Sequence, residues 1–88
     1  MPGTNTSRHR SQPKAVGVRF GRGRVYISLN DGREIGLPLS HRDLRWLREA
    51  SPKLRRDWTL EPGGRTVYWP GLEDGIEVEH LLKPQRLR

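Results

Sequence analysis

Three runs of alternating apolar residues in the first half of the chain restrict its fold more than any other feature. Val16, Val18 and Phe20 alternate with Gly17 and Arg19; Val25, Ile27 and Leu29 with Tyr26 and Ser28; Ile35, Leu37 and Leu39 with Gly36 and Pro38. A period of two, rich in β-branched side chains, gives each run one apolar face, as in a half-buried strand. Gly21-Arg22-Gly23-Arg24 supports a hairpin turn between the first two runs. Asn30-Asp31-Gly32 is a stronger turn signal, because Gly accepts positive φ freely and Asn and Asp accept it better than most. A three-stranded antiparallel meander follows. Pro38 has no N–H to donate, so its position is read as a sheet edge or a strand end.

The middle of the chain changes period. Ser40 is placed to cap a helix from about His41 to Ala50, with Asp43 where a capping box wants an acid and Leu39 able to staple to Leu44. Leu44 and Leu47 then face the sheet. Ser51-Pro52 breaks the helix, because a residue before proline avoids the α region, and Pro52 suits the first position of a short second helix to Asp57 with Leu54 inward. Trp58 and Leu60 begin a strand, Glu61-Pro62-Gly63-Gly64 turns, and Thr66 to Trp69 forms the return strand, with Val67 and Trp69 on one face. Ile76 and Val78 read as a short extended piece, and His80-Leu81-Leu82 as a closing helical turn. The expected fold class is α+β in two layers. A mostly antiparallel sheet, built from the N-terminal meander and a C-terminal hairpin, carries one main helix packed across it, with Trp58 and Trp69 largely buried.

Eighty-eight residues allow one small domain. The reading is a flexible basic arm over 1–14, a domain over 15–83 and a basic tail over 84–88. The arm carries Arg8, Arg10 and Lys14 but no acid and almost no apolar residue, so it cannot bury enough surface to order itself. There is no cysteine, which removes disulfides, thiolate zinc sites and thiol catalysis together. No apolar run approaches a membrane span or a signal-peptide core, and a cytoplasmic location is expected. The formal charge of +7 favours a polyanion or an acidic protein and does not separate them. Most of the basic residues are arginine, which forks onto phosphate or carboxylate and stacks on aromatic rings; a GC-rich genome yields the same bias.

Catalytic and metal patterns are missing from the sequence. His9, His41 and His80 share no helical face, no Gly-rich phosphate loop is present, and no serine or threonine sits in a nucleophile elbow. No cofactor and no enzymatic activity are expected. Glu73, Asp74, Glu77 and Glu79 form an acidic segment without the spacing of a calcium loop, and a solvated turn and strand face explains them. The candidate binding residues are basic and aromatic. Arg42, Arg45 and Arg48 recur at three-residue steps, with Arg55 and Arg56 following and Arg22 and Arg24 in the first turn. Such a stripe suits phosphates, an acidic protein or plain solvent. Trp46 beside Arg45 is an interface candidate if exposed, and a core residue if it packs on Ala50 and the sheet.

Several tracts together resemble the domain-of-unknown-function 2442 family over about residues 15 to 83. They are Asp31-Gly32-Arg33, Leu37-Pro38-Leu39, Trp58-Thr59-Leu60, Gly63-Gly64, Tyr68-Trp69-Pro70-Gly71-Leu72-Glu73-Asp74 and Leu81-Leu82. The chain departs from the pattern at Gly75, where the family often has another acid, and in the basic arm. The resemblance implies a small two-layer α+β unit with no assigned activity and no catalytic residues to carry over. Members often lie beside genes for a second small domain, a pairing that looks like toxin and antitoxin. A non-catalytic partner-binding protein is therefore expected, antitoxin-like or an adaptor or inhibitor, with a toxin-like or other protein partner. A basic nucleic-acid-binding regulator using the arginine stripe is the alternative. No membrane partner is expected.

Overall fold

The computed structural model describes residues 13–82. The basic arm, apart from Pro13 and Lys14, and the basic tail lie outside the described residues. Lys14 already belongs to the fold: its N–H donates to Asn30 Oδ1 and its carbonyl accepts from the Asn30 N–H, at 2.9 and 2.8 Å.

The first three strands, β1 (Ala15–Gly21), β2 (Arg24–Leu29) and β3 (Glu34–Pro38), form an antiparallel meander in the order β1-β2-β3. The β1–β2 turn is Arg22-Gly23 with both residues at positive φ (52° and 73°), the mirror-image turn whose twist matches a two-residue hairpin. Val25, Ile27 and Leu29 face the core, with Ile35 and Leu37 opposite them on β3. Pro38 closes β3 on the sheet edge, as its missing donor requires.

One face assignment changes. The β1–β2 register slips between Ala15 and Gly17. This bulge puts two residues against one, so Ala15 takes the inward place (2% exposed) and Val16 turns out to solvent (54% exposed). The inner face of β1 is therefore Ala15, Val18 and Phe20, rather than Val16, Val18 and Phe20.

The expected main helix is divided. A 3₁₀ turn at Arg42–Leu44 leads into a single α turn, α1 (Arg45–Arg48), and Leu44 between them leaves helical geometry at φ −111°, ψ 17°. The Asp43 carbonyl accepts the Trp46 indole N–H at 3.0 Å, a side-chain use of a group that a continuous helix gives to its ladder. The cap is His41 rather than Ser40: His41 Nδ1 accepts from the Asp43 N–H at 3.0 Å. With Nδ1 accepting, the neutral ring carries its proton on Nε2. Leu44 and Leu47 do face the core. The second helix, α2 (Pro52–Arg56), has Ser51 as its side-chain cap and proline in its first turn, as the sequence indicates.

A second antiparallel sheet follows, β4 (Thr59–Leu60), β5 (Thr66–Trp69) and β6 (Asp74–Glu77), in the order β4-β5-β6. The expected C-terminal hairpin thus gains a third strand. Gly75 lies opposite Tyr68, and a Cβ there would come within 2.6 Å of the Val67 carbonyl oxygen. That close approach to backbone leaves no room for a side chain at Gly75 unless the strands shift. Val78 starts the last helical turn, α3 (Val78–Leu82), rather than extending the strand.

Both sheets share one core, in which Trp69, Ile27, Leu47, Val25 and Val67 are the largest fully buried side chains. Trp69 is its hub. Its indole N–H donates to the Arg55 carbonyl at 2.9 Å, and its ring meets Trp46 edge to face at 5.5 Å. Trp58, expected in the core, is half-buried and packs at its margin.

Candidate functional site

The predicted basic residues divide by what their guanidinium groups bind. Arg48 donates to the Leu39 carbonyl at 3.0 Å, tying α1 to the end of β3. Arg55 donates to the Leu47 and Arg48 carbonyls at 3.2 and 2.7 Å, closing the C-terminus of α1. Its guanidinium also stands 5.6 Å from the Phe20 ring centre. Arg45 pairs with Glu49 one turn on, at 2.9 Å. Arg42 projects into solvent with only a 4.0 Å approach to Asp43. Arg22, Arg24 and Arg56 are exposed and make no ion pair among the described residues. The stripe at 42, 45 and 48 is thus not a row of equivalent cations, because Arg48 turns inward to the backbone.

Two of the open depressions on the described surface combine apolar walls with polar or charged groups. The first, about 430 Å³, lies between the 3₁₀ turn with α1 and the β6–α3 segment. Leu37, Leu44, Trp46, Ile76 and Leu81 give it an apolar lining, and His41, Asp43, Glu77 and His80 contribute polar groups. His80 Nε2 is 3.5 Å from Glu77 Oε1. Trp46 lines this cleft while packing on Trp69, so the interface and core readings of that residue both describe part of its surface. Among the described residues, no three His, Asp or Glu side chains are grouped to hold a metal ion. Asp74 bonds the Gly75 N–H, and Glu73 takes a left-handed turn conformation, so this part of the acidic segment shapes the β5–β6 connection.

The second depression, about 330 Å³, runs beside β1. Val18, Phe20 and Trp58 are its half-buried apolar and aromatic walls, Pro52 closes one side, and Arg19, Arg55 and Arg56 also line it, of which Arg56 makes no ion pair among the described residues. Among the described residues, no acidic residue lines it. Sequence patterning identified Arg55 and Arg56 but took Phe20 and Trp58 for core. Alternation shows which face a residue occupies. It does not show whether that face is covered at the end of the sheet, so no signal separated Phe20 from Ile27.

The opposite face of the meander holds a group the sequence reading did not single out. Arg19 makes a two-pronged contact with Glu34 on β3, both arms 2.9 Å, crossing above Tyr26 on β2 at 4.0 Å from its ring centre. This guanidinium holds the Glu34 carboxyl below its usual range, against a weaker opposing effect of desolvation. Asp31 is lowered in the same way by the Arg33 side chain and backbone N–H. The Arg19–Glu34 contact ties β1 to β3 across β2, whereas the Asp31–Arg33 contact stays within the β2–β3 turn.

A family model described as "Protein of unknown function (DUF2442)" matches residues 15–86. No curated protein matches the chain. A solved structure, a crystal structure of a protein of unknown function from Rhodospirillum rubrum ATCC 11170, is similar in fold at a TM-score of 0.63. The identity is 23%, over 81% of this chain and 86% of that one. The segment that the family model matches takes in every strand and helix described above. The chain belongs to the DUF2442 family of proteins of unknown function.

Proposed function

We propose that this protein is a non-catalytic partner-binding module, antitoxin-like or an adaptor or inhibitor, that acts through a protein–protein interface. The observation that supports this reading is the groove beside β1. A small domain short of core material leaves Val18, Phe20 and Trp58 half-buried in an open depression. Partly buried aromatic side chains rimmed by arginine are the residue types that anchor protein interfaces. The arginine stripe gives less support to a nucleic-acid role, since Arg48 and Arg55 are bound to carbonyls and Arg45 to Glu49.

Affinity capture of the full chain at native expression, repeated across a salt series, tests the proposal. A specific protein should be recovered, and the complex should survive about 200 mM salt because apolar contacts carry it. Nucleic-acid binding would instead fall steeply between about 50 and 200 mM salt, as neutralised phosphates release their counterions. Recovery of nucleic acid and no protein, with binding abolished by charge reversal at Arg42, Arg45 and Arg56, would overturn the proposal. Arg48 is left out of that set because reversing it breaks a fold contact.

A further inference from the structure

The backbone of β1 carries an inference that rests on the partner-binding reading and specifies its chemistry. In an antiparallel pair, successive residues alternate between pointing their N–H and C=O toward the partner strand and away from it. The tight Arg22-Gly23 turn makes Gly21 and Arg24 a hydrogen-bonded pair, so Gly21, Arg19 and Gly17 address β2. The β2–β3 side agrees: Leu29 N–H donates to Arg33 and Leu39 N–H to Gly23, which leaves Arg24, Tyr26 and Ser28 to address β1. The N–H and C=O groups of Val18 and Phe20 therefore point outward, and no strand pairs with that side of β1 among the described residues. Other exposed edges are poorer. β4 has two residues, β6 has four, and β3 has five and ends in proline, whereas β1 has seven.

The groove lies along this edge, since three consecutive residues, Val18, Arg19 and Phe20, line it. We propose that β1 accepts an extended acidic segment of a protein partner as a fourth strand of the meander. The added strand places one apolar side chain against Phe20 and Trp58 and a carboxylate, two residues along on the same face, against Arg56. Two features select this occupant. Among the described residues the groove carries arginine and no acid, so the occupant supplies carboxylates. The edge offers donors and acceptors in alternation. A peptide strand satisfies both, whereas a phosphodiester backbone only accepts and leaves the Val18 and Phe20 carbonyls without donors. The chain's own residues 1–12 carry Arg8 and Arg10 and no acid, which makes them a poor match in charge.

The test uses the full chain and a blocked peptide, Thr-Val-Thr-Val-Thr-Glu-Thr, followed by amide NMR. Saturable binding with Kd on the order of 0.1–1 mM, as suits a short unconstrained strand, should shift the Val18 and Phe20 amides first. N-methylation of the peptide amides that face β1 should weaken binding about tenfold or more, since the ladder is lost. Arg56→Glu, at an exposed position, should weaken it several-fold. Equal binding of the methylated peptide, shifts centred away from β1, no saturation at millimolar peptide, or tighter binding of an oligothymidylate at the same amides would each overturn the inference. The partner-binding reading is judged apart from it. A cellular partner that leaves the Val18 and Phe20 amides open to hydrogen exchange refutes strand addition but not partner binding. Strand-peptide binding with nucleic acid alone recovered from cells does the reverse.

Discussion

Arg55 holds the C-terminus of α1 by donating to the Leu47 and Arg48 carbonyls, while its own carbonyl receives the Trp69 indole. Lysine keeps the charge at that position and loses the fork. Arg55→Lys should therefore destabilise the domain by about 1.5–3 kcal/mol, the range for hydrogen bonds to a charged group. Arg56→Lys, exposed, should stay within about 0.5 kcal/mol. Urea unfolding of the two variants checks this, and equal midpoints would refute the structural role of Arg55. Trp69→Ala removes the hub of the core and should cost about 3–5 kcal/mol, enough to unfold a marginal domain. A cooperative melt that stays near the parent midpoint would contradict its central place. The carboxylates act on pH. Asp31 and Glu34 are held below ordinary values of 3.8 and 4.5 by their arginines. A depressed carboxylate contributes stability above its unfolded-state value and loses it as the pH falls through the folded-state value. The melting temperature should be level down to about pH 5 and then decline, with a smaller decline in Glu34→Gln and in high salt. A Glu34→Gln variant with the parent's acid profile would remove that carboxylate from the account.

At the scale of elements, the β1–β2 turn holds a non-glycine residue, Arg22, in the left-handed region. Asparagine tolerates that region far better than arginine. Arg22→Asn should raise stability by about 0.5–1 kcal/mol, and Gly23→Val should lower it; thermal melts that move the other way would show that the hairpin does not use this turn. The meander was legible in the sequence because three alternating runs and two turn signals agree on one register. The Val67–Trp69 face was legible for the same reason. The bulge at Ala15–Gly17 was not, since Ala15 and Val16 are both apolar and either satisfies the pattern. The divided helix was hidden as well. Its break involves the Trp46 indole and the Asp43 carbonyl, a contact without periodicity. The third strand of the second sheet was read only in part, because Asp74 and Gly75 leave too few apolar residues to alternate. The candidate site was half visible. Arg55 and Arg56 stood out by charge, whereas Phe20 and Trp58 looked like core until the end of β1 proved to be uncovered.

At the scale of the whole molecule, positive charge and open sheet edges occur together. Among the described residues no helix is long and apolar enough to cross a membrane. The chain carries a formal charge of +7, and arginines stand at the hairpin tip and along the groove. An edge able to take up a foreign strand is equally able to take up the same strand of another copy, and it does so without any complementarity of sequence. Between identical copies, however, the arginines face arginines. Their repulsion works as a gatekeeper over roughly the Debye length, about 10 Å at 0.1 M salt and about 3 Å at 1 M. Colloidal behaviour should therefore run opposite to that of most salt-bridged assemblies. The protein should stay monomeric in dilute buffer and self-associate as ionic strength rises, with light scattering increasing first and β1 amides gaining exchange protection. Arg56→Glu should lower the salt concentration at which that begins. The cations that would select an acidic guest under the strand-addition proposal would also oppose the pairing of two copies through β1.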